Sequence, residues 1–258
     1  MKQTLSNVLK RIPGRRTVRE LKYYIPGIAQ IKYLKQKYRN RMFKTPEEIF
    51  TYHYENNIWG DNESKSGHGS NTEYTKNIRA KLPKLISELC VSTVLDAPCG
   101  DYYWVNLMPW EGNINYIGGD IVQPLINNNI KQFSSDTVHF MYLDIIHDPI
   151  PNADIWLCRD CFIHLSNDDI FTTLNNFFKS NINYILLSNY PNQKMDRNTP
   201  TGSGRFYNLM FPSFNFPPPI QTIDDWIEGF PPVRNLSLWC KDDLYSALHN
   251  HRFTKHKY

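Results

Sequence analysis

From residue 76 onward the chain alternates between two kinds of hydrophobic spacing. Apolar residues recur at helical spacing over 76–90 and 166–180. Short, nearly continuous apolar runs fall at Thr93–Asp96, 114–118, 138–143, 153–158, 183–187 and 235–240. Continuous apolar strands separated by helices predict a mostly parallel sheet with both faces covered, an α/β fold. Thr45-Pro46-Glu47-Glu48 reads as a helix start, with Thr as cap and Pro in the first turn. The stretch 190–233 breaks the alternation with Pro217-Pro218-Pro219 and Pro231-Pro232. It reads as a long insertion before the last strand, a lid or substrate wall. The chain shows no internal repeats.

Before this pattern stands a different region. Residues 1–44 carry 13 Lys/Arg against one acid, Glu20, a net charge of +12. Residues 45–258 carry 16 Lys/Arg and 24 acids, a net charge of −8. Pro13-Gly14 and Pro26-Gly27 divide the basic arm into short helical pieces with Leu, Ile and Tyr interleaved. The expected organisation is an arm over 1–44 and one domain over 45–258. The arm suits an anionic membrane surface, a polyanion, an acidic partner or packing on the body. The acidic body argues against nucleic acid as its partner.

With 258 residues, 41% of them hydrophobic, the chain can bury a sizeable core, which excludes a disordered or collagen-like class. No apolar run approaches the ~18–20 residues of a membrane span. The first residues lack the apolar core of a secretory signal. The five scattered cysteines argue against a disulfide framework, so a cytoplasmic location is expected, peripheral at the inner membrane face if the arm attaches there. Cys158-x-x-Cys161 has no second pair at metal-site spacing, and no metal is expected there.

The chemistry gathers at the strand ends. The first strand runs into Asp96-Ala97-Pro98-Cys99-Gly100-Asp101. A tight turn there, with Gly100 permitting close approach, suits a nucleoside cofactor. Pro98 and Cys99 stand where a dinucleotide fingerprint has glycines. The second strand ends at Asp120, placed to accept two hydrogen bonds from a ribose diol. The third ends at Asp144, an acceptor for an exocyclic adenine amine. Past the fourth strand, Asp160 and His164 are four residues apart, on one face if the turn is helical. A hydroxyl acceptor needs its proton removed, and His164 is the candidate base. Asp160 would orient it or replace it; otherwise His164 is a structural residue under the loop. Glu63, Asn189, Tyr190, Arg205 and Asn208 could grip a polar acceptor, with Arg205 tying down the lid as the alternative.

The set LDAPCGD, YIGGDIV, YLDI and ADIWLCRDCFIHLS resembles class I S-adenosylmethionine-dependent methyltransferases. It looks closest to a bacterial subgroup associated with surface-polysaccharide and sugar modification. NIWGDNESKSGHGS and GRFYNLMFPSFNFPPP are similar to the same subgroup, and the resemblance spans roughly 45–245. It implies a Rossmann-like seven-stranded sheet with S-adenosyl-L-methionine as cofactor. Asp96, Ala97, Cys99 and Gly100 would line the methionine part. Asp120 and Ile121 would take the ribose and flank the adenine, and Asp144 and Ile145 would meet its edge. Cys158 and Arg159 would close the pocket near the sulfonium, and Ser66, Gly67 and Ser70 would cover the carboxylate. The expected activity is O-methylation of a sugar hydroxyl, on a nucleotide sugar or polysaccharide unit. A nucleic-acid methyltransferase using the basic arm and a non-catalytic cofactor-binding scaffold are the alternatives. Cys158-Arg159-Asp160-Cys161 stands where amino methylation of a flipped base would place an Asn/Asp-Pro-Pro-aromatic motif. Oligomeric state is not legible.

Overall fold

A computed structural model describes residues 42–194, 197–228 and 232–254, with side chains as far as 249. The basic arm expected over 1–44, and its possible membrane attachment, lie outside the described residues except for 42–44. All described elements belong to one compact unit, Phe43–Tyr258.

Helix α1 (Pro46–Glu55) begins where the sequence placed it, on a reciprocal cap. Glu48 N donates to Thr45 Oγ1 at 3.2 Å, and Thr45 N donates to Glu48 Oε2 at 3.4 Å. Then follow α2 (Lys76–Glu88), β1 (Thr93–Asp96), β2 (Asn115–Asp120), α3 (Gln123–Phe133), β3 (Val138–Tyr142), β4 (Ile155–Cys158), α4 (Asn167–Lys179), β5 (Tyr184–Asn189), β6 (Gln221–Asp224), β7 (Asn235–Cys240) and α5 (Lys241–Thr254). The strands form one sheet in the order β3-β2-β1-β4-β5-β7-β6. The first five in sequence pair in parallel, while β7 runs antiparallel to both β5 and β6. This is the seven-stranded, Rossmann-like α/β architecture expected.

Alternation within strands builds two cores, one on each face. Leu95, Trp156, Cys158, Ile185, Leu187 and Trp239 pack on one side. Val94, Ile155, Leu157, Leu186, Leu236 and Leu238 pack on the other. Burial on both faces explains why the strands read as continuous apolar runs.

Two details differ from the sequence reading. The segment 190–233 does not stay outside the sheet, because Gln221–Asp224 forms edge strand β6 along β7. Strand β5 extends through Asn189, so Asn189 sits on the sheet rather than beyond it. Among the described residues, no helix is long and apolar enough to cross a membrane.

Candidate active site

The turn after β1 is assembled from three elements. Asp96 is buried, and the Tyr116 hydroxyl from β2 donates to its Oδ2 at 2.7 Å. Burial outweighs that bond and raises the Asp96 carboxyl to about 7. Gly100, at φ +57°, donates its N–H to Asp120 Oδ2 at 3.1 Å. Val122 N donates to Asp120 Oδ1 at 3.0 Å. Asp120 is also buried, and its carboxyl is pushed up to about 6, mainly by desolvation. Asn129 of α3 closes the turn by donating to Gly100 O at 2.8 Å. Ala97 and Cys99 are buried in it, and burial lifts the Cys99 thiol well above its usual range. Ile121 is partly buried against the core that holds Val94 and Leu157.

At the end of β3 the Asp144 carboxylate is already engaged. It accepts from Ile146 N at 2.9 Å and lies 2.7 Å from Nδ1 of exposed His147. That bond raises the His147 pKa. The Ile145 side chain packs into the core.

The polar loop 59–70 folds onto the β1 turn through Asp101, a residue the sequence reading did not select. Its carboxylate accepts from Ser64 Oγ at 3.0 Å, Lys65 N at 2.8 Å and Ser66 Oγ at 3.1 Å. Ser66 Oγ accepts in return from Asp101 N at 2.9 Å. Gly67, at φ +99°, packs so closely on Trp59 that a Cβ would stand 2.8 Å from the Trp59 Cβ. Ser70 is buried, and its N–H donates to Gly67 O at 2.9 Å. Glu63 is exposed and accepts from Thr72 N at 2.9 Å and Thr72 Oγ1 at 2.7 Å, bonds that lower its pKa. Ser66, Gly67 and Ser70 thus lie in one folded loop bound to the β1 turn, and Glu63 braces its outer side.

The turn after β4 carries a buried ion cluster. Arg159 Nε and Nη2 grip Asp225 at 2.9 and 3.0 Å, and Nη2 also donates to Gly69 O at 2.6 Å. Arg234 Nε lies 2.9 Å from Asp225 Oδ2, and its Nη1 pairs with Asp160 Oδ2. The Arg159 guanidinium also sits 5.3 Å over the Trp104 ring. Asp160 adopts φ +55° and receives Ser188 Oγ at 3.2 Å and Tyr190 OH at 3.5 Å. Burial would raise the Asp160 carboxyl, but the Arg234 and Arg159 charges outweigh it and hold it below the usual range. A carboxylate so held is a weak proton acceptor. Cys158 is buried, with a hydrogen bond to Cys161 and a thiol raised by burial. Neither Asp225 nor Arg234 stood out in the sequence.

Residues 160–164 do not form the helical face that the spacing suggested. Only Phe162–His164 makes a single 3-10 turn. His164 Nδ1 lies 3.0 Å from Ser203 O. A carbonyl only accepts, so Nδ1 carries the proton and Nε2 keeps the lone pair. It is therefore Ser203, not Asp160, that orients the ring. Burial lowers the His164 pKa, against opposing effects from Ser203 and Asp160. Trp59 and Phe50 flank the imidazole, with ring centroids at 5.9 and 6.5 Å.

The expected acceptor residues mostly hold the chain together. Asn189 Oδ1 accepts from Leu209 N at 2.8 Å. Asn208 Nδ2 donates to Pro191 O at 3.1 Å. Arg205 donates to Arg197 O at 3.0 Å and Leu165 O at 3.2 Å, the tethering alternative. Tyr190 is buried beside Asp160.

No family model and no curated protein sequence matches the chain. Solved structures do. PigF with SAH shares 13% identity at a TM-score of 0.52, over 74% of this chain and 61% of its own, so the match spans under two thirds of that protein. Magnesium protoporphyrin IX methyltransferase (ChlM) from Synechocystis with bound SAH shares 11% identity at 0.51, over 73% of this chain and 93% of its own. The same enzyme with bound SAM gives 11% at 0.50, over 77% and 98%. Sheet order and these likenesses agree: the chain has the fold of the class I S-adenosylmethionine-dependent methyltransferases.

Proposed function

We propose that this protein is an S-adenosylmethionine-dependent methyltransferase that acts on a hydroxyl group, with a sugar as the acceptor class. The fold supports the reaction class, and the ChlM structures hold SAH or SAM. The residues present fit the cofactor. Asp96 and Asp120 are buried carboxylates at adjacent strand ends, raised to about 7 and about 6 mainly by desolvation. Such groups gain from donors such as an ammonium or a ribose diol. Asp96 and Gly100 would hold the methionine portion and Asp120 the ribose. When bound, the cofactor supplies an electrophilic methyl group on a sulfonium.

The chain's own part is proton removal and positioning. His164 carries this reading, because the Ser203 carbonyl fixes its proton on Nδ1 and leaves Nε2 to take the acceptor's hydroxyl proton. Its lowered pKa keeps the ring neutral at pH 7. The sugar assignment rests on the motif resemblance and on the aromatic walls beside His164. The test is His164→Ala assayed with labelled cofactor and a panel of nucleotide sugars. Turnover should fall by about 10²–10⁴ while calorimetry finds cofactor affinity unchanged. A loss below tenfold would make His164 structural.

A further inference from the structure

Resting on the reading of His164 as base, the geometry points to a built seat for the acceptor ring, formed by Gly204 and Phe206. Both lie in the GRFYNLMFPSFNFPPP stretch, where the sequence reading gave roles only to Arg205 and Asn208. Three bonds lay residues 202–205 alongside 163–164. Gly202 N donates to His164 O at 2.8 Å, Arg205 N donates to Ile163 O at 3.0 Å, and His164 Nδ1 reaches Ser203 O at 3.0 Å. The segment is thereby fixed beside the imidazole.

Gly204 is exposed within this segment, and its φ lies outside the left-handed range, so its backbone does not require glycine. Among the described residues, a Cβ there would meet only the imidazole, at 3.9 Å from Cε1 and Nδ1. The missing side chain leaves room beside the Nδ1–Cε1 edge of the His164 ring. Two residues on, Phe206 is 48% exposed, an unusual state for a large aromatic side chain. Tyr190 backs it, with ring centroids 4.8 Å apart. Exposure alternates along the segment, with Ser203, Arg205 and Tyr207 buried and Gly204 and Phe206 exposed, so the supported ring offers its stacking face on the same side of the segment as Gly204. A hydroxyl near Nε2 on a molecule with one apolar face against Phe206 describes a pyranose. Gly204 governs how close the ring comes to the base, and Phe206 governs how it lies.

The test uses the full chain, methyl-labelled cofactor, a panel of nucleotide hexoses and hexose glycosides, and an open-chain hexitol. Wild type should label a pyranose and not the hexitol. Gly204→Ala should lower kcat/KM about tenfold and Gly204→Leu at least about a hundredfold, as the side chain fills the room beside the imidazole. Phe206→Ala should raise KM about tenfold with kcat nearly constant, and Phe206→Trp should restore it. Cofactor affinity by calorimetry should stay at the wild-type value in all four. Full activity in Gly204→Leu and Phe206→Ala, with activity lost in His164→Ala, would overturn the seat and leave the base in place. Equal labelling of the hexitol would overturn the ring-face requirement. A wild type that binds cofactor but labels no pyranose would overturn the seat's assigned class. One that binds no cofactor would overturn the methyltransferase reading itself.

Discussion

Ser66 Oγ occupies the space that a side chain on Gly100 would need. The two residues belong to separate segments, the polar loop and the β1 turn, and each is shaped to the other. Gly100 also holds φ +57°, where a Cβ is strained. Gly100→Ala should therefore destabilise the protein by about 1–3 kcal/mol. Urea unfolding measures this. Ser66→Ala loses its own bonds to Asp101, so the comparison is made in that background: there Gly100→Ala should cost less than in wild type, and an equal cost would mean backbone strain alone sets it.

Asp96 and Asp120 give folding a pH dependence of definite sign. Both carboxyls lie above their unfolded values, at about 7 and about 6. The folded state binds the extra protons, so their contribution is fully present below ~4, the unfolded pKa, and is lost as pH rises through about 6 and 7. Thermal melts of cofactor-free protein should show Asp96→Asn gaining on wild type from pH 5 to 8. Asn keeps an acceptor for Tyr116 and cannot ionise. A constant difference across that range would contradict the assignment.

The cofactor should meet Asp120 directly. Asp120→Asn matches the carboxylate in size but loses the charge, and its NH2 cannot replace the oxygen that accepts from Gly100 N or Val122 N. Cofactor affinity should weaken by roughly 1–3 kcal/mol, read by calorimetry. Wild-type affinity would take Asp120 out of the ribose site.

Asp225 is fully buried between two guanidiniums. Asp225→Ala should cost about 3–5 kcal/mol, because it strands buried charge rather than merely deleting a bond. Replacing Arg159 and Asp225 together by apolar residues should cost less than Asp225→Ala alone. Chemical denaturation of the three proteins checks the order.

His164 predicts the acid limb of the rate profile. Its pKa is lowered, so the base stays unprotonated to a lower pH than an ordinary imidazole. The kcat profile should be flat through pH 7 and fall only below ~6.5. A limb centred above that value would exclude His164.

The sheet was legible where burial on both faces made runs of apolar residues. Strand β6 was not, because Gln221-Thr222-Ile223-Asp224 buries only Ile223 and follows three prolines. Its status as a strand comes from pairing with β7, which local pattern does not record. Helix α3 was hidden by Asn127-Asn128-Asn129, poor helix formers that packing overrides; Asn129 is itself buried, bonded to Gly100. At the site, the strand-end acids could be found because the fold places ligands there. Asp225 could not. It lies 66 residues from Arg159, and a charged residue after an edge strand looks like surface until its partners are known. Asp101 did leave a trace, as an acid directly after the turn glycine.

The bond from His164 to Ser203 uses a main-chain oxygen. Every amino acid supplies that atom, so the genetic code offers no single substitution at 203 that removes it. The Ser203 hydroxyl is itself buried, with no hydrogen-bond partner among the described residues. Position 203 is thus free to drift among small residues while the proton on Nδ1 stays where it is. A change in chain length, an insertion or deletion between Pro200 and Arg205, would move the carbonyl and with it the tautomer. Natural variation among descendants of this chain should therefore tolerate replacements at 203 and reject length changes around it.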